Sequence, residues 1–195
     1  MSRPFAPLLT ERLRIVAPGL EDAARRLAYY EKNRAHLAPW DPSRDETFYT
    51  LERMERWIRD DRDAAARDTG YSLLVLRRDE PAGAIVGTIG ISNVVRGVFR
   101  AAHLGYSLDG EHVGLGYMHE ALQATIAFAF GPLDLHRLMA NYQPTNERSA
   151  RVLRRLGFTV EGFARDYLFL GGAWRDHLLT SLVRGSEHAH EITGR

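Results

Sequence analysis

Apolar and polar residues along this chain switch between strand-like alternation and helix-like stripes. Arg12–Ala17 alternates and predicts a first strand, stopped by Pro18-Gly19. Over Asp22–Arg34 the residues Ala23, Leu27 and Tyr30 fall on one helical face. His36–Thr47 holds Pro39 and Pro42 around Trp40-Asp41 and is expected to be irregular, because each proline drives its predecessor out of helical geometry. A second helix is expected from Leu51 to Arg67, with Leu51, Met54, Trp57 and Ile58 on one face.

Three strand-like runs follow, Tyr71–Arg77, Ala84–Ser92 and Arg100–Leu108, with turns at Asp79–Gly83 and Arg96-Gly97. Met118, Ala121, Leu122, Thr125, Ile126, Ala129 and Phe130 then form the strongest helical stripe of the chain, closed by Gly131-Pro132. His136–Tyr142 reads as a strand. Asn146–Leu156 reads as a helix, with Gly157 placed for a left-handed C-terminal cap. Thr159–Leu170, broken near Arg165, and Trp174–Val183 are the last strands, joined by a hairpin at Gly171-Gly172. This order describes an α/β (mixed α+β) fold, one mixed sheet with helices on both faces, as a single domain over residues 1–184. The polar, aperiodic stretch 185–195 is expected to be a frayed tail.

Composition narrows the chemistry. Among 195 residues, 26 Lys and Arg stand against 25 Asp and Glu, for a formal charge of +1. A dedicated nucleic-acid binder would carry a basic excess, so none is expected here. There are no cysteines, which excludes disulfides, thiolate metal sites and a cysteine nucleophile. No metal site is expected either, since there is no His-Glu-x-x-His and His188-x-His190 falls in the polar tail. MSRPFAPLLTERLRIV has no apolar run of signal-peptide length, and no stretch approaches the ~20 apolar residues of a membrane span, so a cytoplasmic protein is expected.

Two segments carry candidate chemistry. In Leu104–Met118 (LGYSLDGEHVGLGYM) a strand passes through Gly114-Leu115-Gly116 into the strongest helix. Glycines there let backbone approach a ligand, and the amides at a helix start favour a phosphate; a tight turn alone explains them as well. A dinucleotide fingerprint is excluded because His119 stands where its third glycine would be. A P-loop is excluded because no Lys-Ser/Thr follows Gly116. The second segment begins Asn146-x-x-Ser149 and runs through Leu153 and Leu156 to Gly157-Phe158. Capping of the helix is its plain alternative.

Taken together, in this order, the two segments resemble the GNAT superfamily of N-acetyltransferases, whose coenzyme loop has the form Q/R-x-x-G-x-G/A. The resemblance is closest to the ribosomal-protein-alanine N-acetyltransferase branch, whose second signature helix begins N-x-x-S and runs into LGF. It extends over Glu31–Trp40, Asn93–Gly97 (NVVRG), Leu104–Ser107 (LGYS), His136–Tyr142 (HRLMANY), Glu161–Leu168 (EGFARDYL) and Trp174–Thr180 (WRDHLLT). Two departures stand out. Glu111 replaces the usual Gln/Arg and Leu115 a common lysine, and both remove possible phosphate contacts.

The resemblance implies a mostly antiparallel sheet splayed at its middle and acetyl-CoA as co-substrate. Leu104 and Tyr106 on one strand, with His136–Tyr142 on the other, would grip the pantetheine arm, and Gly105 would mark the bulge that opens the sheet. The amides of Val113, Gly114, Leu115, Gly116, Tyr117 and Met118 would take the pyrophosphate. Asn141 and Asn146 would lie near the arm and thioester, and Ser149 would donate to the departing thiolate. Of Arg148, Arg151, Arg154 and Arg155, at most one is expected to meet the 3′-phosphate. Asp166 is the first candidate base and Glu161 the second, with a plain surface carboxylate as the alternative for each. Asn33, Trp40 and Asp41 would line the acceptor groove; a core aromatic and a turn aspartate are the alternatives for the last two.

The acceptor is an amine. Freeing an α-amino group at neutral pH costs only about 1–1.4 kcal/mol, against about 4.5 kcal/mol for a lysine side chain, so an Nα-acetyltransferase needs little base. The expected reaction is acetyl transfer to the N-terminal alanine of a ribosomal protein, by a monomer or homodimer. A small amine such as a polyamine, amino acid or aminoglycoside is the alternative acceptor. A coenzyme-binding regulator or ribosome-assembly factor is the alternative from another class.

Overall fold

Every residue from Leu73 to Leu76 is buried, and alternate members of the run serve opposite faces of one sheet. Leu73 and Val75 pack with Leu122, Ile126 and Phe158. Leu74 and Leu76 pack with Tyr30, Met54 and Ile58 on the other face. The chain therefore builds two cores, one on each side of the sheet. The structure is a computed structural model that describes residues 5–185.

In chain order the elements are β1 (Leu8–Leu9), β2 (Leu13–Val16), α1 (Ala23–Lys32), α2 (Arg34–Leu37), α3 (Leu51–Ala66), β3 (Tyr71–Arg77), β4 (Ile85–Val95), β5 (Ala101–Leu108), α4 (Tyr117–Phe130), β6 (Arg137–Met139), α5 (Glu147–Arg155), β7 (Thr159–Leu170) and β8 (Ala173–Val183). The sheet order is β1-β2-β3-β4-β5-β6-β8-β7. Every named pair is antiparallel except β5 with β6, which α4 joins as a crossover. Residues of α1 and α3 fill one core, and residues of α4 and α5 the other. The stripe expected on α4 is buried in full, and its one polar member, Thr125, returns its hydroxyl to Ala121 O at 2.9 Å.

Three details differ from what the sequence pattern predicts, and a fourth gives it a specific form. The two-residue β1 is too short to leave a pattern. A single helical turn, α2, precedes the prolines, and its last two residues, His36 and Leu37, fall in the stretch expected to be irregular. The break expected near Arg165 is a bulge: β7 stays one strand, but its pairing with β8 shifts between Ala164 and Leu168, with Asp166 at φ +47°. The strand expected over His136–Tyr142 is ladder only from Arg137 to Met139, for a reason that defines the site. The tail expected over 185–195 lies, beyond Gly185, outside the described residues. Among the described residues no helix is long and apolar enough to cross a membrane.

Candidate active site

Strands β5 and β6 pair as Ala101↔Arg137, Ala102↔Leu138 and His103↔Met139, and then part. Beyond that point the β6 chain leans on β8. Ala140 N donates to Thr180 O at 3.0 Å, and Tyr142 and Leu178 exchange bonds of 3.2 and 2.8 Å. Asn141 holds the departure open: its Oδ1 accepts from Thr180 N at 3.1 Å and its Nδ2 donates to the Tyr167 hydroxyl at 3.0 Å. The expected bulge at Gly105 is not what opens the sheet. The β4–β5 ladder runs in register through Gly90↔Gly105, and its shift falls at Ser92/Val95. The gap arises because β6 turns away and leaves one edge of β5 unpaired. Arg100 O accepts from Arg137 N, and strand alternation turns the backbones of Leu104 and Tyr106 to that same edge.

A cavity of about 1070 Å³ follows this edge. Leu104, Tyr106, Val113, Gly114, Gly116, Met118, Asn141, Asn146 and Ser149 line it, as do Trp40 and Asp41. On its wall the Tyr106 and Ser149 hydroxyls meet at 2.7 Å. Burial pushes the Tyr106 phenol up to about 12, against the opposing effect of the Ser149 bond, so it stays protonated at physiological pH. Ser149 reaches this position because Asn146 caps α5, its Oδ1 accepting from Ser149 N at 3.1 Å. Asn146 thus serves as the cap, and its carbonyl oxygen is committed to that role.

The loop before α4 is built for close approach. Gly114 and Gly116 sit at φ +88° and +80°, a region only glycine enters without strain, and a Cβ on Gly114 would meet open space. Glu120 N donates to Gly116 O at 3.1 Å, so the amides ahead of it have no helical acceptor and can face an anion. The loop is anchored from behind. The Glu120 carboxylate accepts from Thr10 Oγ1, Arg12 N and Arg12 Nε, at 2.5, 2.8 and 2.7 Å, while Arg12 Nη1 donates to Leu115 O at 2.9 Å. Leu115 and Tyr117 are not on the cavity wall. Leu115 is exposed, and Tyr117 lies under the Arg12 guanidinium at 4.7 Å. Arg148, Arg151 and Arg155 line the cavity but Arg154 does not.

Three sequence-based assignments change here. Asn33 is not a groove residue: it is 2% exposed, donates to Tyr29 O at 2.9 Å and Asp109 Oδ2 at 3.1 Å, and accepts from Gly110 N at 2.9 Å. It clamps the end of α1 to the loop after β5. Glu161 lies away from the cavity, where Arg137 binds it at 2.7 Å and Ser181 donates to it at 2.7 Å. The Arg137 guanidinium, with Ser181, holds its carboxyl below the usual range, which makes it a poor base. Asp166 sits in the β7 bulge, does not line the cavity, and its backbone N donates to Asp176 Oδ1 at 2.9 Å. The strand bulge re-aims this stretch so that Leu168, Phe169 and Leu170, rather than Asp166, reach the cavity.

His177 is not among the residues that the motifs single out, yet it is 3% exposed and lines the cavity. Its one signal was its place inside WRDHLLT. Trp40 and Asp41 also line the cavity, and Asp41 adjoins a second cavity of about 440 Å³ that Leu37 and Pro42 also share. Burial raises the Asp41 carboxyl above its ordinary value, and Arg44, 2.8 Å away, opposes the rise. Among the described residues no cluster of acidic, histidine or cysteine side chains could hold a metal ion.

A parted sheet edge, a glycine loop with free helix-start amides and a pair of hydroxyls on one cavity wall suit an enzyme that works on an extended thioester, the N-acetyltransferase class. Comparison with known proteins agrees: residues 12–159 match the acetyltransferase (GNAT) domain family. The chain belongs to that family. It is 40% identical over 180 residues to the ribosomal protein uS5-alanine N-acetyltransferase of Escherichia coli K12, covering 92% of each chain. Ribosomal-protein-S5-alanine acetyltransferase from Vibrio fischeri superposes with a TM-score of 0.87 at 38% identity, over 93% of this chain and 98% of that one. Mycobacterium smegmatis RimJ, solved in complex with CoA-disulfide, gives 0.86 at 27% identity, over 94% and 88%.

Proposed function

We propose that this N-acetyltransferase transfers acetyl from acetyl-CoA directly to the N-terminal alanine of a ribosomal protein in the cytoplasm. The observation that carries the reading is the Tyr106–Ser149 hydroxyl pair on the wall of a cavity that runs from the Gly114–Gly116 loop to Asp41. The alanine acceptor rests on similarity to the uS5-alanine acetyltransferases over nearly the whole chain.

Acetyl-CoA supplies a thioester whose C–S bond breaks as the C–N bond forms. The amides around Gly114 and Gly116 hold its pyrophosphate, and Arg148, Arg151 or Arg155 its 3′-phosphate. The free edge of β5 at Leu104 and Tyr106 holds the pantetheine amides as a neighbouring strand would. Ser149 Oγ donates a proton to the departing thiolate, and the Tyr106 hydroxyl resupplies it. With no cysteine in the chain, a cysteinyl acetyl-enzyme is excluded, in keeping with direct transfer. Asp41 faces the incoming α-ammonium group at the junction of the two cavities, and Trp40 forms the adjoining wall.

The test is incubation with acetyl-CoA and separate panels of Ala-starting peptides, internal-lysine peptides and small amines, read by mass shift. Acetylation of the peptide α-amine is expected. Turnover confined to small amines would refute the protein acceptor, and coenzyme binding without any turnover would point to a regulator.

A further inference from the structure

With Asp166 and Glu161 off the cavity, the acceptor's proton needs another destination, and the wall offers few. Glu147 is 80% exposed at its side chain and pairs with Arg151 at 3.3 Å. His119 lies in the first turn of α4, beside the glycine loop, where burial and Arg155 disfavour its charged form. Asp41 is engaged by Arg44. His36 packs against the Gly110 turn on the α2 side. His177 differs from all of these.

His177 Nδ1 lies 2.9 Å from Arg175 O. A carbonyl oxygen only accepts, so Nδ1 carries the hydrogen and the neutral ring has its lone pair on Nε2. Among the described residues Nε2 has no protein partner, and the side chain is buried except where it lines the cavity. Its position is set by β8: the next residue, Leu178, bridges Tyr142 at the point where β6 has left β5. Tyr167 from β7 stands 5.4 Å away, ring to ring, and its hydroxyl is taken up by Asn141. The remaining titratable groups on the cavity wall are Tyr106, Tyr142, His36, Asp41, His119, Glu147 and the three arginines of α5.

We infer that His177 is the base for the acceptor, its Nε2 taking one proton from the α-ammonium group bound beside it. The freed amine attacks the acetyl carbon, the C–N bond forms, and the C–S bond breaks. The thiolate takes its proton from Ser149, which regains one from solvent through Tyr106; the amide nitrogen sheds its remaining extra proton to solvent and the imidazolium returns its own, so one proton is released overall. The inference rests on the acetyltransferase reading, because it concerns the same cavity and an α-amine acceptor.

The test compares wild type with His177→Gln and His177→Asn across pH 6 to 9, using the α-amine peptide that the wild-type enzyme acetylates. The asparagine side chain keeps a donor for Arg175 O and guards against a folding defect. Coenzyme affinity of each variant is measured alongside. An α-amine with pKa near 7.7–8.0 is only about one part in twenty free at pH 6.5, so both variants should lose about tenfold in kcat there and less than about twofold at pH 8.5. The acid limb then moves toward the pKa of the amine itself. A loss of equal size at every pH would show a merely structural side chain, and an unchanged profile would remove His177 from the reaction; either overturns the inference. Both outcomes presuppose acetylation by the wild type, so they are separable from failure of the functional reading.

Discussion

The Tyr106 hydroxyl lies 2.7 Å from Ser149 Oγ, linking the free edge of β5 to the first turn of α5 across the parted sheet. In the proposed mechanism these two residues, 43 positions apart, act as one proton-donating unit. Its worth shows in turnover rather than binding, since the thiolate develops only as the C–S bond breaks.

Ser149→Ala is therefore expected to lower kcat by about 10²-fold, the low end for general acid catalysis, with coenzyme Kd changed by less than about threefold. Tyr106→Phe should cost less, and the double variant no more than Ser149→Ala alone, because the two hydroxyls act in series. Steady-state kinetics and calorimetric titration with coenzyme A decide this. Equal loss of turnover and affinity would reduce Ser149 to a packing role.

At Gly116 a β-carbon would sit 3.3 Å from Arg12 Nη2 on a backbone at φ +80°. Gly116→Ala should cost about 1–2 kcal/mol of stability from the left-handed conformation and weaken coenzyme binding at the same time. Gly114→Ala, at φ +88° with open space around it, should show the conformational cost without the contact. Thermal unfolding with and without coenzyme A separates the two.

Asp109 links acid stability to the frame of the site. Burial alone would raise its pKa, but Lys32, Asn33, the Glu111 amide and His112 outweigh it and hold the carboxyl at about 2. Its folded value is lower than its unfolded value, so its stabilisation is complete above the ordinary aspartate range and fades as pH falls through about 2. Asp109→Asn should lose about 1–2 kcal/mol at neutral pH and show a smaller further loss than wild type between pH 4 and 2. Asn33→Ala should cost about 2 kcal/mol by stranding the same network, with KM for the acceptor unchanged in the folded enzyme. Chemical denaturation at several pH values, paired with acceptor titrations, checks both.

Glu161→Gln and Asp166→Asn should each retain wild-type kcat within about twofold, since neither side chain reaches the cavity. Asparagine also tolerates the left-handed backbone at 166. A drop of tenfold or more in either variant would restore that carboxylate as the base.

Much of this protein was determined by local pattern. The buried stripe of α4, the doubly buried run of β3, the Asn146 cap and the Gly171-Gly172 hairpin all follow from interactions between residues near in sequence. Periodicity, capping and left-handed glycines act over a few residues and are legible there. So was the Ser149 motif, because its helix start positions it. What the tertiary structure decided lies where β6 leaves β5. The Asn141 side chain takes a bond that a strand backbone would have made, which ends the ladder after Met139. A bulge in β7 turns Asp166 aside, and the burial of Asn33 makes it a clamp in place of the groove residue expected from the sequence. Spacing along the chain shows which residues carry acids and bases. Which of them face a shared cavity depends on pairings between strands far apart in sequence, and these assigned the wall to His177 in place of Asp166 and Glu161.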